Sequence, residues 1–216
     1  MAAPSQLWAT LYYQGKEAEI NSNKQLLVNI PSGAFPALPA GDNNIGNIDI
    51  VTLPSTTTKI KYSTSTAITC TLASLASSAT VGRCSTAIDN TTNLYDDAIV
   101  TLSIKTGANA PANDKAIYVY VYGSEDGTNY EQEESNSPAS DGAYTINAPT
   151  IFRLAAIIPI LTAAKIYTTV FSIATMYNGI MPRKWGIIVI NFAGQALDST
   201  ETNHIKTYTG INYTSS

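Results

Sequence analysis

The chain has 216 residues, is 44% hydrophobic and carries a net charge of −4, so it is long enough to bury the core of one large β domain. Only 13% of its residues are charged, about half the usual share of roughly 25%, and Thr, Ser, Asn and Tyr take their place. The acidic balance and the scattered cations exclude a protein that binds nucleic acid through a basic patch. Since Thr and Tyr favour strands, the composition predicts an all-β protein.

Residues 1–50 are predicted to form an extended arm. Between positions 31 and 46 the sequence is interrupted by three prolines and three glycines, which neither a helix nor a central strand tolerates. Phe35, Leu38 and Ile45 lie among them, whereas flexible linkers rich in Gly and Ser lack large apolar residues. We therefore expect the arm to lie over its own domain or a neighbouring subunit, with these three residues as candidate partner contacts.

The remainder of the chain, residues 51–216, is predicted to form one β-sandwich of the jelly-roll type. Short segments of β-branched and aromatic residues recur along it, separated by turn residues, and no internal repeat of fixed period is present. One short helix is expected at 174–178. Strands are expected at 48–53, 58–62, 67–72, 79–81, 98–104, 116–122, 143–146, 151–158, 166–173, 186–192 and 204–213.

The strand at 116–122 is bulky on both faces. Isoleucine and valines occupy positions 117, 119 and 121, so Tyr118, Tyr120 and Tyr122 share the opposite face. The strand runs into a turn in which Asp126-Gly127 supplies the positive φ that hairpins require, and Tyr130 follows. These four tyrosines are candidate partner contacts. They could bury into a protein, stack on sugars, or cover a hydrophobic layer of the protein itself.

The sequence offers no arrangement of residues that predicts catalysis. His204 is the single histidine, and it is expected at the surface or at a subunit interface. Neither a Gly-x-Ser-x-Gly elbow nor a phosphate-binding glycine motif is present, and His and Cys are not clustered as zinc ligands. We therefore expect no enzymatic activity, no cofactor and no metal site, although loop carboxylates leave calcium open. Cys70 and Cys84 are expected to be buried thiols, with a disulfide as the alternative.

No targeting or membrane signal is expected either. The first six residues lack the basic and apolar regions of a secretory signal peptide. The longest apolar stretch, residues 154–164, is shorter than the roughly 20 residues of a membrane-spanning helix. We therefore expect cytoplasmic synthesis without a membrane anchor.

Three segments resemble virion proteins of tailed bacteriophages. Residues 117–130, Ile-Tyr-Val-Tyr-Val-Tyr-Gly-Ser-Glu-Asp-Gly-Thr-Asn-Tyr, are similar to a hairpin in which an aliphatic-aromatic strand enters a Ser-x-Asp-Gly turn. Residues 181–191, Met-Pro-Arg-Lys-Trp-Gly-Ile-Ile-Val-Ile-Asn, and residues 204–210, His-Ile-Lys-Thr-Tyr-Thr-Gly, also resemble that group. The resemblance covers residues 98–213 and does not extend to the arm.

The resemblance implies a non-enzymatic jelly-roll protein of the virion, made in the host cytoplasm. A capsid decoration or auxiliary protein is the leading expectation, in contact with other virion proteins and with copies of itself as a homo-oligomer. A tail or fibre protein is the first alternative. The Ser-x-Asp-Gly turn also occurs in galactose-binding, discoidin-like jelly rolls, so a carbohydrate-binding β-sandwich module is the second.

Overall fold

The computed structural model describes residues 58–112, 114–132 and 137–215, together with four two-residue strands nearer the N-terminus. These are β1 (Tyr12–Tyr13), which pairs with β2 (Lys16–Glu17), and β3 (Glu19–Ile20), which pairs with β4 (Leu26–Leu27). The chain divides into two units, Met1–Thr52 and Leu53–Ser216. The predicted contacts Phe35, Leu38 and Ile45 and the predicted strand 48–53 lie outside the described residues.

The second unit is built almost entirely of strands. It also contains one helical turn, α1 (Ile173–Met176), and short 3-10 turns at Pro149–Ile151 and Glu201–Asn203. The strands are β5 (Thr58–Tyr62), β6 (Thr66–Ala67), β7 (Val81–Cys84), β8 (Ile88–Asp89), β9 (Asp97–Lys105), β10 (Ala116–Ser124), β11 (Gly142–Thr145), β12 (Arg153–Pro159), β13 (Ile166–Ser172), β14 (Lys184–Phe192) and β15 (Ile205–Ser215).

The strands form two antiparallel sheets. Sheet I has the order β11-β7-β14-β10-β12, with β8 beside β14, and sheet II has the order β13-β9-β15-β5, with β6 beside β15. Eight of these strands pair in a nested order, from the two ends of the sequence inward. The first, β5, pairs with the last, β15; β7 then pairs with β14, β9 with β13 and β10 with β12. This pattern is a long hairpin rolled into two sheets, which is the jelly-roll arrangement. The prediction of an all-β sandwich is confirmed.

The main core lies between the two sheets and follows the period-2 patterns of the sequence. Alternate residues of β9, from Ala98 to Ile104, are fully buried, as are Ile117, Val119 and Val121 of β10. Trp185 of β14 is 1% exposed and meets the ring of Tyr208 of β15 edge to face, with centroids 5.4 Å apart. The alternating apolar positions of the strands predicted at 98–104 and 116–122 therefore face the main core.

A second, smaller core covers the outer face of sheet I. Ile188 and Ile190 of β14 point away from the main core, and they are 0% and 3% exposed. Tyr144 of β11 and Phe152, which precedes β12, pack edge to face over this side, with ring centroids 5.7 Å apart. Sheet I therefore has apolar layers on both faces, which explains why β14 is a continuous apolar run with no alternation.

The short strands differ most from expectation. The predicted strand 67–72 is reduced to Thr66–Ala67. Ile68, Cys70 and Leu72 are buried, but their backbone is irregular. The strand expected at 79–81 occupies Val81–Cys84, and Ile88–Asp89 was not expected to be a strand. Short segments of this kind owe their conformation to their neighbours in the sheet more than to their own pattern.

Candidate interaction surface

The four tyrosines predicted as contacts lie on or beside the second core. Tyr122 is fully buried, its hydroxyl donates to the carbonyl oxygen of Ser85 at 2.7 Å, and burial raises its pKa. Tyr130 is half-buried and meets the ring of Tyr122 edge to face at 5.9 Å. Tyr118 and Tyr120 are also half-buried. Tyr122 therefore offers no surface to a partner, and a contact role for the other three stays a prediction.

The turn after β10 has the predicted geometry. Gly127 has a φ of +79°, and Glu125 is exposed. The carboxylate of Asp126 accepts the backbone N–H groups of Thr128 at 2.8 Å and Asn129 at 2.7 Å. These hydrogen bonds, the one from Asn129 above all, hold the pKa of Asp126 well below its usual range. The turn is thus fixed by a side chain accepting from its own backbone.

His204 is buried within its own chain, which corrects the expectation of a position at the surface or at a subunit interface. It is 4% exposed, its Nδ1 accepts the backbone N–H of Lys105 at 3.3 Å, and its Nε2 lies 3.0 Å from the carbonyl oxygen of Asp198. Both ring nitrogens are therefore used to join the 198–204 loop to the end of β9. The strand pattern of the sequence could not predict this burial, because Asp198, whose carbonyl oxygen the ring contacts, lies in a loop.

Both cysteines are free and buried, as expected. Burial raises the pKa of the Cys70 thiol above its usual range and that of the Cys84 thiol to about 12. The thiol is the unreactive form, so neither cysteine is an activated nucleophile. In residues 58–112, 114–132 and 137–215, no three His, Cys, Asp or Glu side chains come together as a metal site. No helix in this part of the chain is long and apolar enough to cross a membrane.

Two open depressions hold polar side chains that are already paired. In the larger, about 560 Å³, the carboxylate of Asp97 accepts from Ser172 Oγ at 2.7 Å and from the backbone N–H of Ala174 at 2.8 Å. In the smaller, about 400 Å³, Lys206 donates to Glu201 at 2.5 Å. The carboxylate of Glu201 in the smaller depression also accepts the backbone N–H groups of Leu72 at 2.9 Å and Ala73 at 2.7 Å, so in both depressions the carboxylates hold backbone segments in place.

The outer face of sheet II carries large apolar side chains that the described residues leave exposed. The inward residues of β9 and β15 lie in the main core, so alternate residues of these strands and of β13 face outward. Cross-strand pairing aligns them in rows, such as Val170, Thr101 and Thr207 in the middle of the sheet. We call this surface the Ile/Thr face; its residues are Ile99, Thr101, Ser103, Ile166, Thr168, Val170, Ser172, Ile205, Thr207 and Thr209.

Large apolar side chains on this face are exposed to solvent. Ile166 is 59% exposed, Val170 58% and Ile205 53%, and at the β5 edge Tyr62 and Tyr213 are 63% and 58% exposed. An antiparallel sheet with one solvated face usually alternates apolar inward and polar outward residues. Contiguous apolar surface that breaks this rule marks an interaction site more often than an accident of folding.

Charge is confined to the two ends of the Ile/Thr face. Asp97 lies in the row at one end and Lys105 in the row at the other, and each is four residues along β9 from Thr101 in the middle row. Exposed Asp96 adjoins the first end and exposed Lys165 adjoins the second. Lys105 pairs with Asp198 at 3.1 Å within the chain. The interior of the face offers methyl groups and hydroxyls only.

No protein-family model, curated protein or solved structure matches the chain.

Proposed function

We propose that the chain is a non-enzymatic structural protein of a tailed-bacteriophage particle, a capsid decoration or auxiliary protein that works by packing against other protein chains. The observation that carries the proposal is the contrast between the two outer sheet faces. The second core covers the outer face of sheet I around β14 and leaves Leu154 and Ile157 of the edge strand β12 exposed, whereas the interior of the outer face of sheet II carries no charge and exposes Val170 and Ile205. A face of this composition loses little on desolvation, because it has few charges to strip of water.

The polar side chains of the sandwich support a structural role. The single histidine uses both ring nitrogens on backbone groups, and Lys206 and Asp97 have partners in their depressions. Side chains engaged in this way hold loops to the sheets and are not poised for proton transfer. The resemblance of residues 98–213 to phage virion proteins supports the same role, with a tail or fibre position as the alternative within the particle.

The carbohydrate-binding alternative has less support. Of the tyrosines that could stack on a sugar, Tyr122 is fully buried and Tyr130 packs against it. Tyr118 and Tyr120 keep only part of their surface, and burial raises the pKa of Tyr120. The tyrosine-rich face is mostly committed to the protein's own second core.

The proposal is tested on purified particles of the phage that encodes the chain. Density-gradient particles should contain it in many copies, and electron microscopy of particles with a labelled C-terminus should place the label around the head. Label confined to the tail would move the protein to the alternative position. Absence of the chain from intact particles would refute the virion role, and specific binding in a glycan array would favour a carbohydrate-binding module.

A further inference from the structure

We propose that the Ile/Thr face binds the same face of a second copy of this chain, about a two-fold axis that runs across the strands. The inference rests on the proposed function to the extent that the chain works by packing against other chains. It goes further by naming the surface, the partner and the symmetry of the contact.

A second copy fits this face because the face does not repel itself. In a two-fold contact each residue meets residues of an identical surface, so like charges in the interior would be placed close together. The rows between Asp97 and Lys105 contain only Ile, Val, Thr and Ser. Ser103 and Thr168 hydrogen-bond to each other across the strands at 2.8 Å, so burying them leaves neither hydroxyl without a partner.

The charged ends select the direction of the axis. Thr101 lies midway between Asp97 and Lys105 on β9. A two-fold axis that crosses the strands at this row places each strand over its own copy with the strand direction reversed. Asp97 and Asp96 of one copy then approach Lys105 and Lys165 of the other. An axis parallel to the strands would instead bring Asp97 over Asp97. Opposite charges at both ends therefore favour the first arrangement.

The size of the face predicts a weak contact between two isolated copies. Nine residues of β9 span about 27 Å, and three strands about 4.8 Å apart make the face roughly 14 Å wide. This gives roughly 400 Å² for each copy, against about 800 Å² for each partner in a standard stable interface. We therefore expect association at high protein concentration in solution, reinforced where a particle holds many copies together.

The test compares matched isoleucines in the full-length protein. Ile205→Lys places a charge on the Ile/Thr face, whereas Ile157→Lys does so at a position of similar exposure, 53% against 55%, on the opposite sheet. Sedimentation equilibrium should show a wild-type dimer, weakened at least about tenfold by Ile205→Lys and by less than about twofold by Ile157→Lys. Val170→Lys is the second variant on the face, and thermal melts establish that each protein is folded.

The axis is tested by crosslinking between singly substituted proteins. In the proposed dimer β15 lies over β15 of the other chain, so position 205 faces position 209. A mixture of the Ile205→Cys and Thr209→Cys proteins should therefore crosslink with a bismaleimide of about 10 Å, which is the usual spacing of packed sheets. Each protein alone should crosslink far less, and the wild type should not, since Cys70 and Cys84 are buried. If each singly substituted protein crosslinks with itself and the mixture does not crosslink more, the proposed direction of the axis is wrong.

The outcomes separate this inference from the proposed function. A wild-type protein that stays monomeric at all concentrations, or an Ile157→Lys variant that loses as much association as Ile205→Lys, overturns the two-fold contact. If particles still contain the chain in that case, the virion role survives. If the face dimerises as expected but the chain is absent from particles, the virion role fails and the contact stands.

Discussion

Gly186 lies in the middle of sheet I, directly opposite Tyr122 on the neighbouring strand. A Cβ added at Gly186 would overlap the Tyr122 ring, coming within 2.6 Å of Cε1 and closer still to Cζ and Oη. The ring cannot move aside freely, because Tyr122 is fully buried and its hydroxyl donates to the carbonyl oxygen of Ser85. We therefore predict that Gly186→Ala displaces the ring and breaks this hydrogen bond.

The expected loss follows from two physical contributions. Overpacking a filled core costs about 1 to 3 kcal/mol, and leaving a buried carbonyl oxygen without its donor costs about 1 to 3 kcal/mol more. The free energy of unfolding should therefore fall by roughly 2 to 6 kcal/mol. For a domain of this size each kcal/mol lowers Tm by about 2 to 4 °C, so a thermal melt should show a fall of roughly 5 to 20 °C.

Gly142→Ala is the matched control, because the nearest atom to its added Cβ is the carbonyl oxygen of Ser140 at 3.8 Å. That substitution should leave stability unchanged or raise it by up to about 1 kcal/mol. In a Tyr122→Ala background the ring is gone, so Gly186→Ala should add little further loss. A Gly186→Ala protein that melts with the wild type, or effects that simply add in the double variant, would refute the reasoning.

Three further predictions follow from the loops. Gly127→Val forces a β-branched residue to positive φ and should cost about 1 to 3 kcal/mol in a thermal melt, whereas Glu125→Gln at the exposed neighbour should cost almost nothing. His204→Ala removes the acceptor of the part-buried Lys105 backbone N–H and should lower the free energy of unfolding by about 1 to 3 kcal/mol, measured by urea titration. An unchanged midpoint would contradict the structural role of the ring. Hydrogen bonds, first of all from Asn203, hold the pKa of Asp198 below its usual range. A lowered folded-state pKa contributes stability that is present above about pH 4 and is lost as the pH falls. Asp198→Asn should therefore flatten the loss of stability below pH 4 in acid titrations followed by circular dichroism, and a slope equal to that of the wild type would argue against this linkage.

The strand pattern was predictable where one residue in two enters the core. Positions 98 to 104 alternate cleanly, and the two bulky faces of 116–122 left open whether the tyrosines are covered; the structure buries Tyr122 and half-buries Tyr118 and Tyr120. The order of the strands in the sheets was not predictable, because β9 pairs with β13 and β15 across long stretches of chain. Such pairing depends on the whole fold and leaves no local pattern.

The Ile/Thr face did leave a signal that was missed. β13 has Ile166 and Val170 on its outer face and Tyr167 and Phe171 on its inner face, so both faces of the strand carry large apolar residues. A strand at the edge of an antiparallel sheet needs only one apolar face. The surplus apolar residues are those that the proposed contact with a second copy would bury. The burial of Tyr122 was harder to foresee, since Phe152 and Ile146 reach the second core from outside the strand itself.

The rolled-hairpin topology has a consequence for how the chain matures on the ribosome. β14 and β15, the last strands to be synthesised, are not edge strands: β14 separates β7 from β10 in sheet I, and β15 separates β5 from β9 in sheet II. A nascent chain that ends before residue 184 has only the flanks of both sheets and nothing to join them. The sandwich therefore closes only after β15 has emerged from the ribosome, and premature stop codons anywhere upstream of β15 should yield chains that are degraded or aggregate.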